Sequence, residues 1–258
     1  MMPKCCHEHS EPFMRLTRCY VPVTLHAGDT LSLPESTSSH IGRVLRARVG
    51  ESVTLFDGRG GEYAAQIVNI DRRCVRVRIG DHRGIERESP LRVTLLQAMT
   101  RAERMDFVIQ KATELGVAAI IVLPGERSVV RLDAQGLRKR SEHWRAVAIS
   151  ACEQCGRNRI PTIEAVDDLA AGCARAPAED RRVLLAPEAG QTLLALLAPA
   201  TSVSLLIGPE GGFDVEELTL AMQHGFQSAR LGPRVLRAET APLAALAVIQ
   251  ASVGDLAL

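Results

Sequence analysis

Residues 205–213 read Leu-Leu-Ile-Gly-Pro-Glu-Gly-Gly-Phe, an apolar run that passes directly into a glycine-rich loop. Asp214 comes next and is a suitable N-cap for a helix over 215–224. A buried strand that leads through glycines into a helix is typical of the carboxyl edge of a parallel sheet, where loop N–H groups can approach a ligand. The loop lacks the spacing of a Rossmann fingerprint and the Gly-Lys-Ser/Thr ending of a Walker A loop. The stretch therefore predicts an α/β domain, with either a ligand-binding loop of another kind or a plain tight turn.

The chain around this loop alternates between apolar runs and helical patterns. Because the apolar runs are continuous, they predict a parallel sheet that is covered by helices on both faces. Strands are predicted over 91–98, 118–123, 183–186, 203–207 and 226–231, and helices over 102–115, 133–155, 192–197, 215–224 and 239–253. The Ala-rich segment 165–177 is interpreted as a flexible connection.

The N-terminal third instead shows the two-residue period of β-structure. Short strands are predicted over 19–23, 30–33, 52–56, 63–68 and 74–79, with a hairpin turn at 57–61. One helix is predicted over 38–47, with Ile41, Val44 and Leu45 on its buried face. We therefore predict a small β-barrel domain over 14–84, with a linker at 81–84, and a second domain over 85–258. Residues 1–13 are expected to form a disordered extension.

The composition excludes several classes of protein. With 46% hydrophobic and 24% charged residues, the 258-residue chain has the composition of a folded globular protein. It contains no run of about 18 apolar residues and no secretory signal, so we expect a cytoplasmic protein without a membrane segment. Seven cysteines without framework spacing predict free thiols. The cluster Cys5-Cys6-His7-Glu8-His9 lacks a second ligand pair, so no metal site is predicted.

Arginine dominates the cations, because 28 of the 31 Lys and Arg residues are Arg, although the net charge is only +1. Arginine grips phosphates and stacks on bases, so clusters of it favour an RNA surface, while solvated sheet edges are an equally good explanation. The clustered arginines of the barrel are Arg43, Arg46, Arg72, Arg73, Arg76 and Arg78.

A second junction of strand, loop and helix follows the first by roughly twenty residues. Residues 231–241 read Leu-Gly-Pro-Arg-Val-Leu-Arg-Ala-Glu-Thr-Ala, where Gly232-Pro233 forces a turn and Arg234, Arg237 and Glu239 stand at its mouth. Together, the two junctions resemble the RsmE-type 16S ribosomal RNA uridine N3-methyltransferases of the SPOUT superfamily. Segments 110–117, 126–130 and 153–161 are similar to other motifs of this family in the same order, and 43–51 is similar to its PUA-like RNA-binding barrel. Arg101-Ala102 and Cys155 depart from the family's usual Lys-Gly and Ser, so these positions do not demand one side chain.

The resemblance implies a fold, a cofactor and an assembly that composition and periodicity do not predict. The fold would be an N-terminal PUA-like β-barrel followed by a C-terminal SPOUT α/β domain with a parallel sheet and a deep trefoil knot. S-adenosylmethionine would lie in the knot, and each site would need both subunits of a homodimer. Cofactor contacts are expected from Ala186, Ile207, Gly208, Pro209, Glu210, Gly211, Gly212, Leu231, Gly232, Leu236, Thr240 and Ala241.

The implied reaction is methylation of the N3 of a uridine in 16S ribosomal RNA, within the small subunit or its precursor. Arg127, Arg157 and Arg237 are candidates to stabilise the imide anion, with Glu153 or Glu239 as the base. Arg101 joins the barrel arginines as a candidate RNA contact. Two alternatives stay open: a SPOUT methyltransferase that acts on another RNA or another position, and a non-catalytic RNA-binding assembly protein.

Overall fold

A computed structural model describes residues 17–72, 74–124, 134–197 and 199–256. The chain divides into two compact units, one formed by the described residues up to Asp57 with Gly61–Gly84, the other by Gly58–Gly60 with the described residues from Ile85 onward. The extension 1–13 with its Cys5–His9 cluster, Arg73 and Arg127 lie outside the described residues. Over the described ranges, no helix is both long enough and apolar enough to cross a bilayer.

The first unit is built on a five-stranded sheet. Its strands are β1 (Arg18–Tyr20), β2 (Thr30–Ser32), β3 (Ser52–Phe56), β4 (Glu62–Ile70) and β5 (Val75–Arg83). Their spatial order is β1-β3-β4-β5-β2. β5 alternates as its sequence predicts, because Val75, Val77 and Ile79 are buried in the core of this unit whereas Arg76 and Arg78 are exposed.

The helix of the first unit differs from the prediction over 38–47. It begins earlier, as α1 (Glu35–Ser39), and continues directly into a π-helical turn over His40–Val44. Pro34 precedes α1 and favours an early start, since its fixed φ suits a first helical turn. The chain leaves the helix at Arg46, whose φ of 51° is left-handed. Leu45 is consequently 45% exposed instead of sharing the buried face.

The predicted linker at 81–84 is instead the end of β5. The pairs Tyr63–His82 and Glu62–Arg83 extend the antiparallel ladder between β4 and β5. The rings of Tyr63 and His82 are in contact, with centroids 4.8 Å apart. Polar residues suggested a connection, but an antiparallel strand with a solvent-facing side accepts them equally well.

The second unit contains a six-stranded sheet in which every strand pairing is parallel, as predicted. Its strands are β6 (Arg92–Ala98), β7 (Ala119–Leu123), β8 (Thr162–Ala165), β9 (Arg181–Leu185), β10 (Ser202–Ile207) and β11 (Gln227–Ala229), in the order β11-β9-β10-β6-β7-β8. Its helices are α2 (Ala102–Glu114), α3 (Ala134–Cys155), α4 (Leu169–Arg175), α5 (Leu193–Leu197), α6 (Val215–Gln223) and α7 (Thr240–Val253). One core cluster joins the sheet to α2, α3, α5 and α7, and the other joins it to α4 and α6.

The segment 165–177, predicted as a flexible connection, contains α4. Asp168 caps this helix by accepting a backbone N–H at 2.7 Å. Gly172 allows α4 to approach the sheet closely, because a Cβ at this position would lie 2.1 Å from Leu123 Cδ2. Alanine is the strongest helix former, so an Ala-rich segment that packs on a sheet becomes a helix.

Trp144 and Cys152 are packing residues of α3. Both side chains are buried, and Trp144 belongs to the core cluster that also contains residues of α2 and α7. The Cys152 thiol donates to the carbonyl oxygen of Arg159 at 3.5 Å. Because Trp144 is 0% exposed, a partner subunit would have to contact other residues of α3.

Candidate functional site

A cavity of about 730 Å³ lies where β9, β10 and β11 end. This volume is within the range of small-molecule binding sites. The walls come from three segments: 185–188 after β9, 207–213 after β10 and 231–238 after β11. The carboxyl ends of parallel strands are the usual place for such a site, because the loops there can vary without disturbing the sheet.

Ten of the twelve residues expected to contact a cofactor line this cavity. They are Ala186, Ile207, Gly208, Pro209, Glu210, Gly212, Leu231, Gly232, Leu236 and Ala241. Gly211 and Thr240 are chain neighbours of lining residues but are not part of the lining. The two junctions that stand out in the sequence therefore share one cavity.

Local bonds hold the loop after β10 in shape. Gly212 has a φ of +72°, and its N–H donates to the carbonyl oxygen of Pro209 at 2.9 Å, which closes a tight turn. Asp214 and Glu217 form a reciprocal capping box at the start of α6. At Gly208 a Cβ would lie 3.1 Å from the ring of Phe213, so a side chain there would displace that ring. The loop is a preformed turn with open backbone facing the cavity.

The segment that follows β9 forms one wall of the cavity, and Ala186 is the one residue of this wall that was expected from the sequence to contact a cofactor. Pro187 and Glu188 also line the cavity, and Arg230 holds the segment that follows them. Arg230 Nη1 donates to the carbonyl oxygens of Ala189 and Gly190, both at 3.0 Å. A lone arginine after a three-residue strand belongs to no motif, so no local signal marks its role.

Arg104 is a further lining residue that the sequence does not single out. It lies in the first turn of α2, and its Nη1 is 2.5 Å from Glu210 Oε1. Its Nε is 3.6 Å from Glu239 Oε1. One guanidinium therefore contacts the loop after β10 and the end of the loop after β11.

Glu239 lies beside Arg237 and directly follows Ala238, a residue that lines the cavity. Arg237 lines it with a side chain that is 76% exposed, and its Nη1 is 3.9 Å from Glu239 Oε1. The Glu239 side chain is only 15% exposed. Its Oε2 is buried and has no hydrogen-bond partner among the described residues. A buried carboxylate oxygen without a donor can accept a hydrogen bond from a bound ligand.

Arg157, a candidate to stabilise the imide anion, lies in a buried network of hydrogen bonds outside the cavity lining. Its side chain is 4% exposed, and Nε and Nη2 donate to the two carboxylate oxygens of Glu88. Nη1 donates to the carbonyl oxygens of Thr113 and Val117. Burial by itself lowers the pKa of this guanidinium, but the hydrogen bond and charge of Glu88 raise the pKa above its ordinary value. All three guanidinium nitrogens of Arg157 are thus engaged within the second unit, which favours a structural role.

The other candidate residues lie away from the cavity lining. Glu153 is half-buried on α3, and Arg101 is exposed at the N-cap of α2. Arg43 lies in the π-helical turn of the first unit. In the same unit, the candidates Arg46, Arg72, Arg76 and Arg78 are exposed.

Two domain families match the chain. The RNA methyltransferase PUA domain matches residues 33–80, and the RNA methyltransferase domain matches residues 87–250. Ribosomal RNA small subunit methyltransferase E of Buchnera aphidicola (subspecies Schizaphis graminum) is 34% identical over 94% of this chain and 98% of its own length. The protein of the same name from Bacillus subtilis is 28% identical over 91% of this chain and 96% of its own length.

Solved structures resemble the chain over nearly the same range. A methyltransferase from Legionella pneumophila in complex with S-adenosylmethionine is 42% identical with a TM-score of 0.90, covering 93% of this chain and 99% of that one. Ribosomal RNA small subunit methyltransferase E from Neisseria gonorrhoeae, bound to S-adenosylmethionine, is 37% identical with a TM-score of 0.86 at the same coverage. These matches confirm the family resemblance and the predicted arrangement of a PUA-like unit before a parallel-sheet α/β unit. The chain belongs to the ribosomal RNA small subunit methyltransferase E family.

Proposed function

We propose that this protein methylates the N3 of a uridine in 16S ribosomal RNA, with S-adenosylmethionine as the methyl donor. The observation that carries the proposal is the cavity at the ends of β9, β10 and β11, in a family whose solved members bind S-adenosylmethionine. Small-subunit ribosomal RNA is the substrate in the names of the curated relatives. The uridine N3 follows from the resemblance of the two junction motifs. A ribosomal RNA substrate also favours a cytoplasmic location.

The cavity fits S-adenosylmethionine in its chemistry as well as in its size. Leu185 and Leu231 provide apolar surface for an adenine ring, and backbone at the lining glycines is open to a ligand. Glu188 and Glu210 supply negative charge for the ammonium and sulfonium groups, and Arg234 supplies positive charge for the carboxylate. When bound, this cofactor supplies a methyl group activated by a positively charged sulfur.

The residues of the chain align the uridine and manage one proton. Loss of the N3 proton leaves an anion shared with O2 and O4, which Arg237 at the cavity can stabilise. Glu239 is the preferred proton acceptor, because it stands between the lining residue Ala238 and the start of α7 and has a buried oxygen without a donor in the described chain. Glu153 is the weaker candidate because it lies on α3, whereas Glu239 directly follows the lining residue Ala238 and is 3.9 Å from Arg237.

The polar face of the first unit's sheet is the proposed RNA surface. Arg76 and Arg78 on β5 are in register with Ser32 and Thr30 on β2. On the other side of β5, their partners on β4 are also polar, namely Asn69 and Gln66. Rows of exposed polar and cationic side chains suit contacts with phosphates and riboses, which position an RNA without reading its bases. Arg43, Arg46, Arg72 and Arg101 remain further candidates.

The proposed assembly is a two-fold homodimer that forms through the second unit. We also propose that the chain of this unit follows a trefoil-knotted path. α7 favours the homodimer because Leu243, Ala247 and Val248 are only partly buried beside the fully buried Leu246 and Ile249. Two-fold pairing is the commonest closed arrangement of identical subunits. Light scattering at micromolar concentration should give twice the chain mass, and a fully active monomer would contradict the dimer.

Methylation of RNA from a strain that lacks this protein tests the proposed function. The protein is incubated with labelled S-adenosylmethionine and, in separate reactions, 16S ribosomal RNA, small-subunit precursors or transfer RNA, and the product is digested to nucleosides. We expect label in N3-methyluridine at a single position. Label in transfer RNA or on a ribose oxygen would instead support another SPOUT activity. Cofactor binding without transfer to any RNA would support a non-catalytic assembly role.

A further inference from the structure

We propose that Arg104 is a positioning residue that ties the two loops of the cavity together and thereby fixes Arg237 for the reaction. The inference rests on the proposed methyl transfer, because it concerns the same site. Arg104 belongs to neither loop, since it extends from the first turn of α2. Its guanidinium contacts Glu210 in one loop and Glu239 at the end of the other.

The sheet does not hold these two loops against each other. One loop follows β10 and the other follows β11, and β9 lies between these strands in the sheet. The strand ends are therefore not joined by a shared ladder of backbone hydrogen bonds. A contact from outside both loops, such as that of Arg104, can therefore set their separation at the cavity mouth.

The four charged groups at the mouth alternate in sign. Glu210 Oε1 is 2.5 Å from Arg104 Nη1, Arg104 Nε is 3.6 Å from Glu239 Oε1, and that same oxygen is 3.9 Å from Arg237 Nη1. Arg104 and Arg237 are the cations within 4 Å of Glu239 in the described chain. Without Arg104, the Glu239 carboxylate would have Arg237 as its remaining cationic neighbour. The position of Arg237 relative to a substrate would then change.

We expect the ion pairs of Arg104 to affect the mobility of the two loops more than the free energy of unfolding of the protein. The side chains of Arg104 and Glu210 are 33% and 38% exposed, and ion pairs with this much solvent contribute little to the free energy of unfolding. Arg104→Met should therefore leave the melting temperature nearly unchanged while it loosens both loops. A purely structural role would lower the melting temperature instead.

The test compares three variants with one control. Arg104→Met removes the charge and keeps the stem, and Arg104→Lys keeps a point charge that cannot engage two carboxylates as a planar fork does. Glu210→Gln cuts one arm of the tie and leaves Glu239 in place. Arg138→Met, at an exposed position of α3, is the matched control. Hydrogen exchange of peptides covering 207–214 and 231–239 reports on the loops, and calorimetry and kinetics report on binding and turnover.

We expect Arg104→Met to raise exchange in both segments and to weaken S-adenosylmethionine binding about tenfold, equivalent to about 1.4 kcal/mol. At saturating cofactor, kcat should still fall about tenfold, since Arg237 is no longer fixed. Arg104→Lys should recover part of both losses, and Glu210→Gln should weaken binding more than it lowers kcat. Arg138→Met should behave like the wild type.

Wild-type exchange in both segments of Arg104→Met would overturn the proposal, even if activity fell, because Arg104 would then act on the substrate directly. A fall of the melting temperature by more than about 5 °C would indicate a structural role and would also overturn it. Failure of the proposed methyl transfer can be distinguished from failure of the proposal about Arg104. If the wild-type protein methylates no RNA, loop exchange and cofactor affinity still decide whether Arg104 ties the loops.

Discussion

Arg157 and Glu88 form a two-point ion pair inside the second unit, with Nε 2.9 Å from Oε1 and Nη2 2.5 Å from Oε2. Neighbouring bonds join the same two segments. Asn158 Nδ2 donates to the carbonyl oxygen of Ile85 at 2.7 Å, and Arg87 Nη1 donates to that of Gly156 at 3.0 Å. The segment that enters the second unit is thus fastened, residue by residue, onto the turn that follows α3.

Arg157→Met should destabilise the protein by about 3 kcal/mol, because it leaves the Glu88 carboxylate without its cation and removes the donor that Arg157 supplies to the carbonyl oxygens of Thr113 and Val117. Urea denaturation followed by circular dichroism measures the change. Arg159→Met is the control, since the Arg159 side chain is 56% exposed in its ion pair with Glu86 and should contribute less than about 1 kcal/mol. Equal effects of the two substitutions would contradict the structural role of Arg157.

Gly208→Ala should weaken S-adenosylmethionine binding by about tenfold, because the new methyl group lies in the cavity wall and displaces the Phe213 ring, which also lines the cavity. Calorimetry with the folded variant gives the affinity. Gly42→Ala is the matched control, since the nearest atom to its Cβ would be 3.9 Å away in the first unit. Wild-type affinity in Gly208→Ala would argue against placing the cofactor beside this loop.

Arg237→Ala should lower kcat about 100-fold, the scale of one lost oxyanion donor, while cofactor affinity changes little. The reason is that the 76% exposed side chain has its charge free for a substrate anion and makes only a 3.9 Å contact with Glu239. Methylation kinetics are compared with calorimetry on the same preparation. If binding weakens as much as turnover falls, Arg237 supports the loop and has no role in the transition state.

Substituting Glu for both Arg76 and Arg78 should weaken the salt dependence of binding to single-stranded RNA. The slope of the logarithm of the binding constant against the logarithm of the salt concentration should become less steep by about 1.4, or about 0.7 for each lost phosphate contact. Fluorescence anisotropy over a salt series gives the slope. A variant with Arg138→Glu and Lys139→Glu makes the same change in net charge on α3. Identical slopes for wild type and the β5 variant would mean that these arginines form a solvated sheet face.

Cys173 should make the stability of the protein depend on pH in the alkaline range. Burial raises the pKa of its thiol from an ordinary value of 9.0 to about 11. The folded state therefore favours the neutral thiol. The contribution of this thiol to the free energy of unfolding is complete below pH 9 and is lost as the pH rises towards 11. Between pH 7 and pH 10, wild type should lose about 1 kcal/mol more than Cys173→Ala in urea denaturation. Equal losses in the two proteins would show that the Cys173 thiol is accessible to water.

The sequence by itself determined most of the strands and helices and the two glycine-containing loops that line the cavity, but it did not predict β8 and gave the segment of α4 as a flexible connection. Continuous apolar runs defined the parallel strands, and glycines at 208, 212 and 232 marked the loops that follow β10 and β11. These signals are local, because a strand period, a helix cap or a left-handed turn depends on residues within a few positions of one another. The alternation of buried and exposed side chains along β5 could be predicted for the same reason.

Only the tertiary structure decided which charged residues meet. Arg104 and Glu210 are 106 positions apart in the chain, and Arg157 and Glu88 are 69 apart, so no spacing connects either pair. The ion pair of Arg157 with Glu88 could not be predicted, because an arginine in a motif has the same letter whether it faces a substrate or a buried carboxylate. Arg104 was overlooked because a surface arginine in the first turn of a helix is ordinary until the fold places two glutamates beside it. Long-range pairing depends on how the strands are ordered in the sheet, and that order arises from packing of the whole unit rather than from any local stretch of sequence.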